Sequence, residues 1–231
     1  MSKYVIANWK SYKKLFEAEA WLAAFEKSYQ PHPEVKAVLA PPAVYLSSLH
    51  RLIKERRISL SLAIQDVSPF PLGAYTGEVA AEMVADMVDM AIVGHSERRR
   101  YFHESHQEIA NKAGEALAAG ISPLLCVDKP YVREQLNVFE EEEINAMIIG
   151  YGPVEAIGIN VAQPLEQAAD GIREIRRLAP ESPILYGGSV NADNAGSYLN
   201  LGDVSGLMVG SASLDPEEFA EICRIVSLQS G

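Results

Sequence analysis

Short apolar runs recur along the chain, and most are followed by a stretch with helical spacing. The runs are Tyr4–Ala7, Val35–Ala40, Leu60–Ile64, Met90–Val93, Pro123–Val127, Met147–Ile149, Pro183–Tyr186 and Leu207–Val209. Each is bounded by Gly, Pro or polar residues, the pattern of a strand buried on both faces. Leu15 to Tyr29 places Leu15, Ala18, Leu22 and Phe25 on one side and predicts a helix. Helices are also predicted over Val44–Ile53, Glu78–Met87, Val132–Glu143 and Pro164–Leu178, the last with Pro164 at its first position. Ser105-His106-Gln107-Glu108 is a capping box, so a helix runs from there to about Ala119, where Gly120 stops it. A short helix begins near Asn191, and Asp215-Pro216-Glu217-Glu218 caps a last one.

Buried strands alternating with amphipathic helices imply a parallel sheet. Eight such units in 231 residues predict an α/β fold of the (β/α)8 class, a parallel eight-stranded barrel with outer helices. The competing architecture is a doubly wound open sheet, which carries Gly-x-Gly-x-x-Gly after its first strand. Here the first strand ends in Asn8-Trp9-Lys10, and Gly150-Tyr151-Gly152 runs on into Pro153-Val154-Glu155. No linker or low-complexity stretch divides the chain, so residues 1–231 are expected to form a single domain.

Composition narrows the partners. The formal net charge of -11 argues against nucleic acid, which requires a basic face. The run Glu140 to Glu143 reads as a solvated face and not a metal site. Two cysteines, Cys126 and Cys223, lack metal-ligand spacing, and Cys126 lies in an apolar run as a buried strand residue. No apolar run reaches the ~18 residues of a membrane span. Met1 to Tyr4 leads straight into a strand with no signal peptide visible, so a soluble cytoplasmic protein is expected.

In a parallel barrel the carboxyl ends of the strands share one face, and that face holds the site. Read alone, those ends give Asn8 and Lys10, then Gln65, His95 and Glu97, Asp128, Gly152, Gly187-Gly188-Ser189 and Gly210-Ser211. Glycines before helix starts leave free N–H groups that suit a phosphate. Lys10 adds a fixed positive charge, and His95 can donate a hydrogen bond or shuttle a proton near pH 7. Together they point to a small phosphorylated carbonyl compound.

At these positions the chain resembles the triosephosphate isomerase family along its whole length. The carriers are Asn8-Trp9-Lys10, Pro41 to Leu46, Gly73 to Glu78, Gly94 to Arg99, Tyr186 to Val190 and Gly210 to Leu214, six segments in order at matching strand ends. The resemblance implies interconversion of dihydroxyacetone phosphate and glyceraldehyde 3-phosphate through an enediol(ate), without cofactor or metal. It further implies that Asn8 and Lys10 hold the substrate and that neutral His95 donates to its carbonyl oxygen. Glu97 would pair with Lys10, and Gly158, Ser189, Gly210 and Ser211 would bind phosphate. Thr76 would lie on a loop that docks into the second subunit of a homodimer.

The chain departs from the family at the lid. The family's proton-abstracting glutamate precedes Pro and Val; here that position is Gly152, before Pro153-Val154. Glycine cannot accept a proton, so impaired turnover is expected. Glu155 is the candidate substitute, but three residues of extended chain cover ~10 Å, so it serves only if the segment is rebuilt. Ile159-Asn160 replace the usual Thr-Gly pair, and Asp128-Lys129 the usual Gly-Glu. The segment between the fifth and sixth strands resembles the compact archaeal form, which tends to be tetrameric. Two alternatives therefore stand beside the isomerase: a catalytically inactive phosphate-ligand-binding homologue, and an isomerase of another small sugar phosphate.

Overall fold

The strands pair in chain order into a closed parallel ring: β1 Lys3–Asn8, β2 Val35–Ala40, β3 Ser61–Ile64, β4 Met90–Val93, β5 Ser122–Val127, β6 Ile148–Tyr151, β7 Ile184–Tyr186 and β8 Val204–Val209. This is the TIM barrel that the alternation predicts. The structure, a computed structural model, describes residues 3–154 and 161–229. Among the described residues nine α-helices surround the ring: α1 Leu15–Ser28, α2 Leu46–Arg56, α3 Ser96–Phe102, α4 His106–Ala118, α5 Val132–Leu136, α6 Glu141–Asn145, α7 Leu165–Leu178, α8 Ala195–Leu199 and α9 Pro216–Leu228. None of them is long and apolar enough to cross a membrane.

Strand alternation divides the apolar residues between two cores. Ile6, Ala63, Ile92, Leu124, Ile148, Leu185 and Met208 fill the inside of the ring. Their neighbours Val5, Ala7, Ala91, Val93, Leu125, Leu207 and Val209 face outward beneath the helices. On α1 the buried face is aromatic: Trp21 stacks on Phe25 at 4.9 Å, and Phe25 on Tyr29 at 4.6 Å. Trp9, just past β1, meets Trp21 edge-on at 4.9 Å. Both indole N–H groups donate to the Ser213 carbonyl, at 3.2 and 3.0 Å, joining the chain after β1 to the chain after β8.

The ring closes where β8 pairs with β1, with Tyr4 opposite Gly206 and Ala7 opposite Val209. Gly206 is required there, because a Cβ would lie 2.1 Å from the Tyr4 carbonyl oxygen.

Two predicted helices differ from expectation. Glu78–Met87 contains no α-helix, only a short 3-10 segment, Ala81–Met83, followed by a hydrogen-bonded turn over Val84–Met87. The Val79 carbonyl, which a helix would use, instead accepts from Ser68 N–H at 2.8 Å. Val132–Glu143 is broken into α5 and α6, because Glu140 N–H bonds the Glu143 carboxylate at 2.9 Å and so restarts the helix. Pro164 sits at the N-cap of α7 instead of its first turn. The helix near Asn191 begins at Ala195, and β8 starts three residues before the predicted Leu207. Helix α3 has no counterpart in the sequence reading. The caps at Ser105 and Asp215 form as predicted, with Ser105 Oγ accepting from Glu108 N–H at 3.2 Å and Asp215 from Glu217 N–H at 2.9 Å.

Gly206→Ala forces a methyl group into the β8–β1 seam and should cost about 1–3 kcal/mol. Gly202→Ala, with nothing within 4 Å of its new methyl group, should stay within about 0.5 kcal/mol of wild type. Urea denaturation midpoints of the two variants check the contrast.

Candidate active site

Continuing each inward-facing row one step beyond the interior core reaches the carboxyl rim. Ile6 leads to Asn8, Met208 to Gly210, and Leu185 to Gly187. These ends enclose a cavity of about 210 Å³ that Lys10, His95, Ser96, Cys126, Gly152, Ser189 and Ser211 also line. Lys10 and His95, far apart in sequence, thus share one cavity, as the sequence reading requires.

Glu97 joins them. Its Oε1 lies 2.6 Å from Lys10 Nζ. Its backbone N–H donates to His95 Nδ1 at 3.2 Å, as His95 caps α3. Glu97 Oε2 is 3.6 Å from the same Nδ1, but Nδ1 is already an acceptor, so this is proximity and not an ion pair. Burial, reinforced by the nearby Lys10 and Arg98 and opposed by Glu97, lowers the His95 pKa to about 4. The ring is therefore neutral at pH 7, with its proton on Nε2, and acts as a donor.

Lys10 is held in the left-handed region, φ 52°, and Lys13 at φ 71°. Such backbone costs of order 1–3 kcal/mol and persists where neighbours over-determine it. Here Lys10 N–H donates to Asn8 Oδ1 at 3.0 Å. Gln65 Nε2 donates to Lys10 O and to Ala40 O, each at 2.8 Å, pinning the ends of β1 and β2 together.

A second brace lies beneath α3. Arg99 donates to Gly94 O at 2.8 Å, Cys126 O at 3.1 Å and Gln135 Oε1 at 2.9 Å. Gly94, at φ +67°, leaves room for it, since a Cβ would meet Arg99 Nη2 at 2.7 Å. Arg98 reaches Asp66 at 2.9 Å, and Lys112 reaches Asp66 at 2.7 Å and Glu104 at 2.5 Å. With Lys112 and Glu104 both buried, breaking this network would strand a charge.

On the opposite side of the rim, Asn191 and Asn194 each accept the other's backbone N–H, at 2.9 and 3.1 Å. Asn194 Nδ2 holds Ser189 O at 3.0 Å, with Ser189 at φ 49°. Ser213 Oγ donates to Gly210 O at 2.7 Å.

These contacts fit a family. A profile described as Triosephosphate isomerase matches residues 3–226. The chain belongs to the triosephosphate isomerase family. It is 36% identical over 247 aligned positions to the triosephosphate isomerase of Polynucleobacter asymbioticus, covering 95% of this chain and 98% of that one. It is 34% identical to that of Chlamydia trachomatis, over 98% of this chain and 90% of that one. With the enzyme of Dictyoglomus thermophilum the identity is 33%, over 96% and 98%. The function of this chain is triosephosphate isomerase-like.

Gly152 lines the cavity at the end of β6, its N–H bonded to Val127 O at 3.0 Å. No side chain fills the family's base position. Glu155, Gly158 and the Ile159-Asn160 pair lie outside the described residues. Thr76 is exposed, beside the stacked rings of Phe70 and Tyr75, 4.5 Å apart.

Of the other rim residues, Asp128 is readable in the sequence as a strand end and Cys126 as a buried strand residue, but their places in the site are not, and the sequence reading does not single out Tyr131 at all. Asp128 is buried with both oxygens engaged, accepting Lys129 N–H at 2.7 Å and Val154 N–H at 3.0 Å, so it fastens the chain that leaves β6. Tyr131 lines the cavity; only its place just past β5 could have marked it. Cys126 also lines it, but burial raises its thiol to about 12, leaving it inert as a nucleophile. Among the described residues no group of three or more His, Cys, Asp or Glu side chains could hold a metal ion.

His95 nitrogen shifts should show a neutral ring from pH 8 down to about pH 4. Because the folded pKa lies below the unfolded value of about 6.5, the folded chain binds fewer protons between the two. His95 therefore draws stability away as pH falls from about 6.5 to about 4, and His95→Gln should flatten that part of the urea-midpoint profile.

Proposed function

We propose that this chain binds a phosphorylated triose at the β-strand carboxyl rim and isomerises it slowly, because the base that removes the carbon-bound proton is absent. The observation that carries this reading is a cavity lined by Lys10 and His95, both contacted by Glu97, with no side chain at Gly152. In the proposed mechanism Lys10 and Asn8 hold the substrate, and Lys10 offsets negative charge developing on its oxygens. His95 Nε2–H donates to the carbonyl oxygen, then passes a proton between the two oxygens of the enediol. Backbone N–H groups of Ser189, Gly210 and Ser211 receive the phosphate, with Gly158 assigned the same role from the resemblance. Proton removal from carbon is left to water or to a carboxylate outside the described residues, Glu155 being the nearest in sequence. Gly152 also favours a second reading, in which the chain binds the phosphorylated ligand without turnover.

A positioned general base contributes about 10²–10⁴ in rate. Gly152→Glu should therefore raise turnover of glyceraldehyde 3-phosphate by about that factor. Equal, high activity in both proteins would overturn the reading. Activity confined to the variant would favour the binding protein.

We further propose a cytoplasmic homodimer, with the loop around Thr76 docking into a partner subunit. Phe70, Leu72 and Tyr75 are exposed together on that loop, an apolar cluster of the kind that marks a protein–protein contact. Sedimentation velocity should give a dimer, with Thr76→Asp shifting it toward monomer; a wild-type tetramer would follow the compact archaeal form instead.

A further inference from the structure

We infer that Tyr131 is a specificity-determining residue of this site, its phenol O–H meeting the extra hydroxyl of a phosphorylated sugar one carbon longer than a triose. This rests on reading the β7–β8 side of the rim as the phosphate cradle.

The cavity has two ends. Ser189, Gly210 and Ser211 form one, after β7 and β8; His95, Ser96, Tyr131 and Gly152 form the other, after β4, β5 and β6. A ligand with phosphate at the first end directs its far carbon toward the second. Gly152 lines that end and brings no side chain to it, and a hydroxymethyl group is smaller than the glutamate the family carries.

Tyr131 is fixed before any ligand arrives. Its N–H donates to Asp128 O at 3.1 Å, turning the chain just past β5. Its ring lies over the Arg99 guanidinium at 4.4 Å and faces the His106 ring at 6.2 Å. Arg99 is itself tied to Gly94, Cys126 and Gln135. The ring thus loses little freedom on binding. Among the described residues the phenol oxygen has no hydrogen-bond partner. Burial pushes the phenol up to about 12, so at neutral pH it keeps its proton and serves as a donor. A donor on a residue that lines a cavity discriminates for a ligand hydroxyl more strongly than apolar contact does.

Polyol phosphates test this without turnover. Isothermal titration with inorganic phosphate, glycerol 3-phosphate and erythritol 4-phosphate is run on wild type, Tyr131→Phe and Gly152→Glu. Wild type should bind the four-carbon probe about tenfold more tightly than the three-carbon one, the scale of one net hydrogen bond. Tyr131→Phe, which keeps the ring over Arg99, should erase that preference and leave phosphate and glycerol 3-phosphate within about twofold. Gly152→Glu should exclude the four-carbon probe and keep phosphate. Equal wild-type affinity for the two polyol phosphates overturns the inference, as does a Tyr131→Phe loss common to all three probes. If phosphate itself fails to bind, the phosphate reading falls first and takes this inference with it. If phosphate and glycerol 3-phosphate bind but the four-carbon probe does not, this inference alone falls.

Discussion

Ring closure is the constraint on which the rest depends. When β8 pairs with β1, no edge strand remains, and every strand must present one set of side chains to the interior and the other to the helices. All eight carboxyl ends then lie on one rim, and residues from opposite ends of the chain become neighbours. The bare backbone of Gly206 against Tyr4 makes that closure sterically permissible. Lys10 and Gly210 line one cavity because of it.

On the rim, electrostatics are set by who donates to whom. The Glu97 N–H at the start of α3 occupies His95 Nδ1, and burial disfavours a charged ring, so the imidazole presents an uncharged donor. The Glu97 carboxylate turns instead to Lys10. One residue thus fixes a tautomer with its backbone and positions a cation with its side chain. Lys10 also occupies a costly left-handed conformation, which the Asn8 and Gln65 hydrogen bonds hold in place.

Gly152 brings no carboxylate to the cavity, and the neighbouring Asp128 spends both oxygens on backbone N–H groups. What remains there is a phenol braced by Arg99. Interactions that hold ground state and transition state equally improve affinity without accelerating the reaction. On the proposed reading, a site with its donors intact and its base missing retains more of its affinity than of its rate.

Much of this was legible in the residues themselves. Strand positions followed from short apolar runs, because a parallel strand covered on both faces leaves nothing else to place there. The caps at Ser105 and Asp215 were readable because their partners lie three residues or fewer away. Lys10, His95 and Glu97 were recognisable from their places at strand ends, and the Lys10–Glu97 pair formed as the family resemblance implied. The two failed helices have different causes. In Glu78–Met87 the Val79 carbonyl is taken by Ser68 N–H from an earlier loop; in Val132–Glu143 a local capping box, Glu140 N–H to the Glu143 carboxylate, restarts the helix and went unread. Tyr131 and Asp128 gained their places only once β5, β6 and Arg99 were packed together. Sequence determined which segments seek burial and where each one stops; the tertiary structure decided which side chains met across the rim, because those partners come from segments that only the closed ring brings within reach.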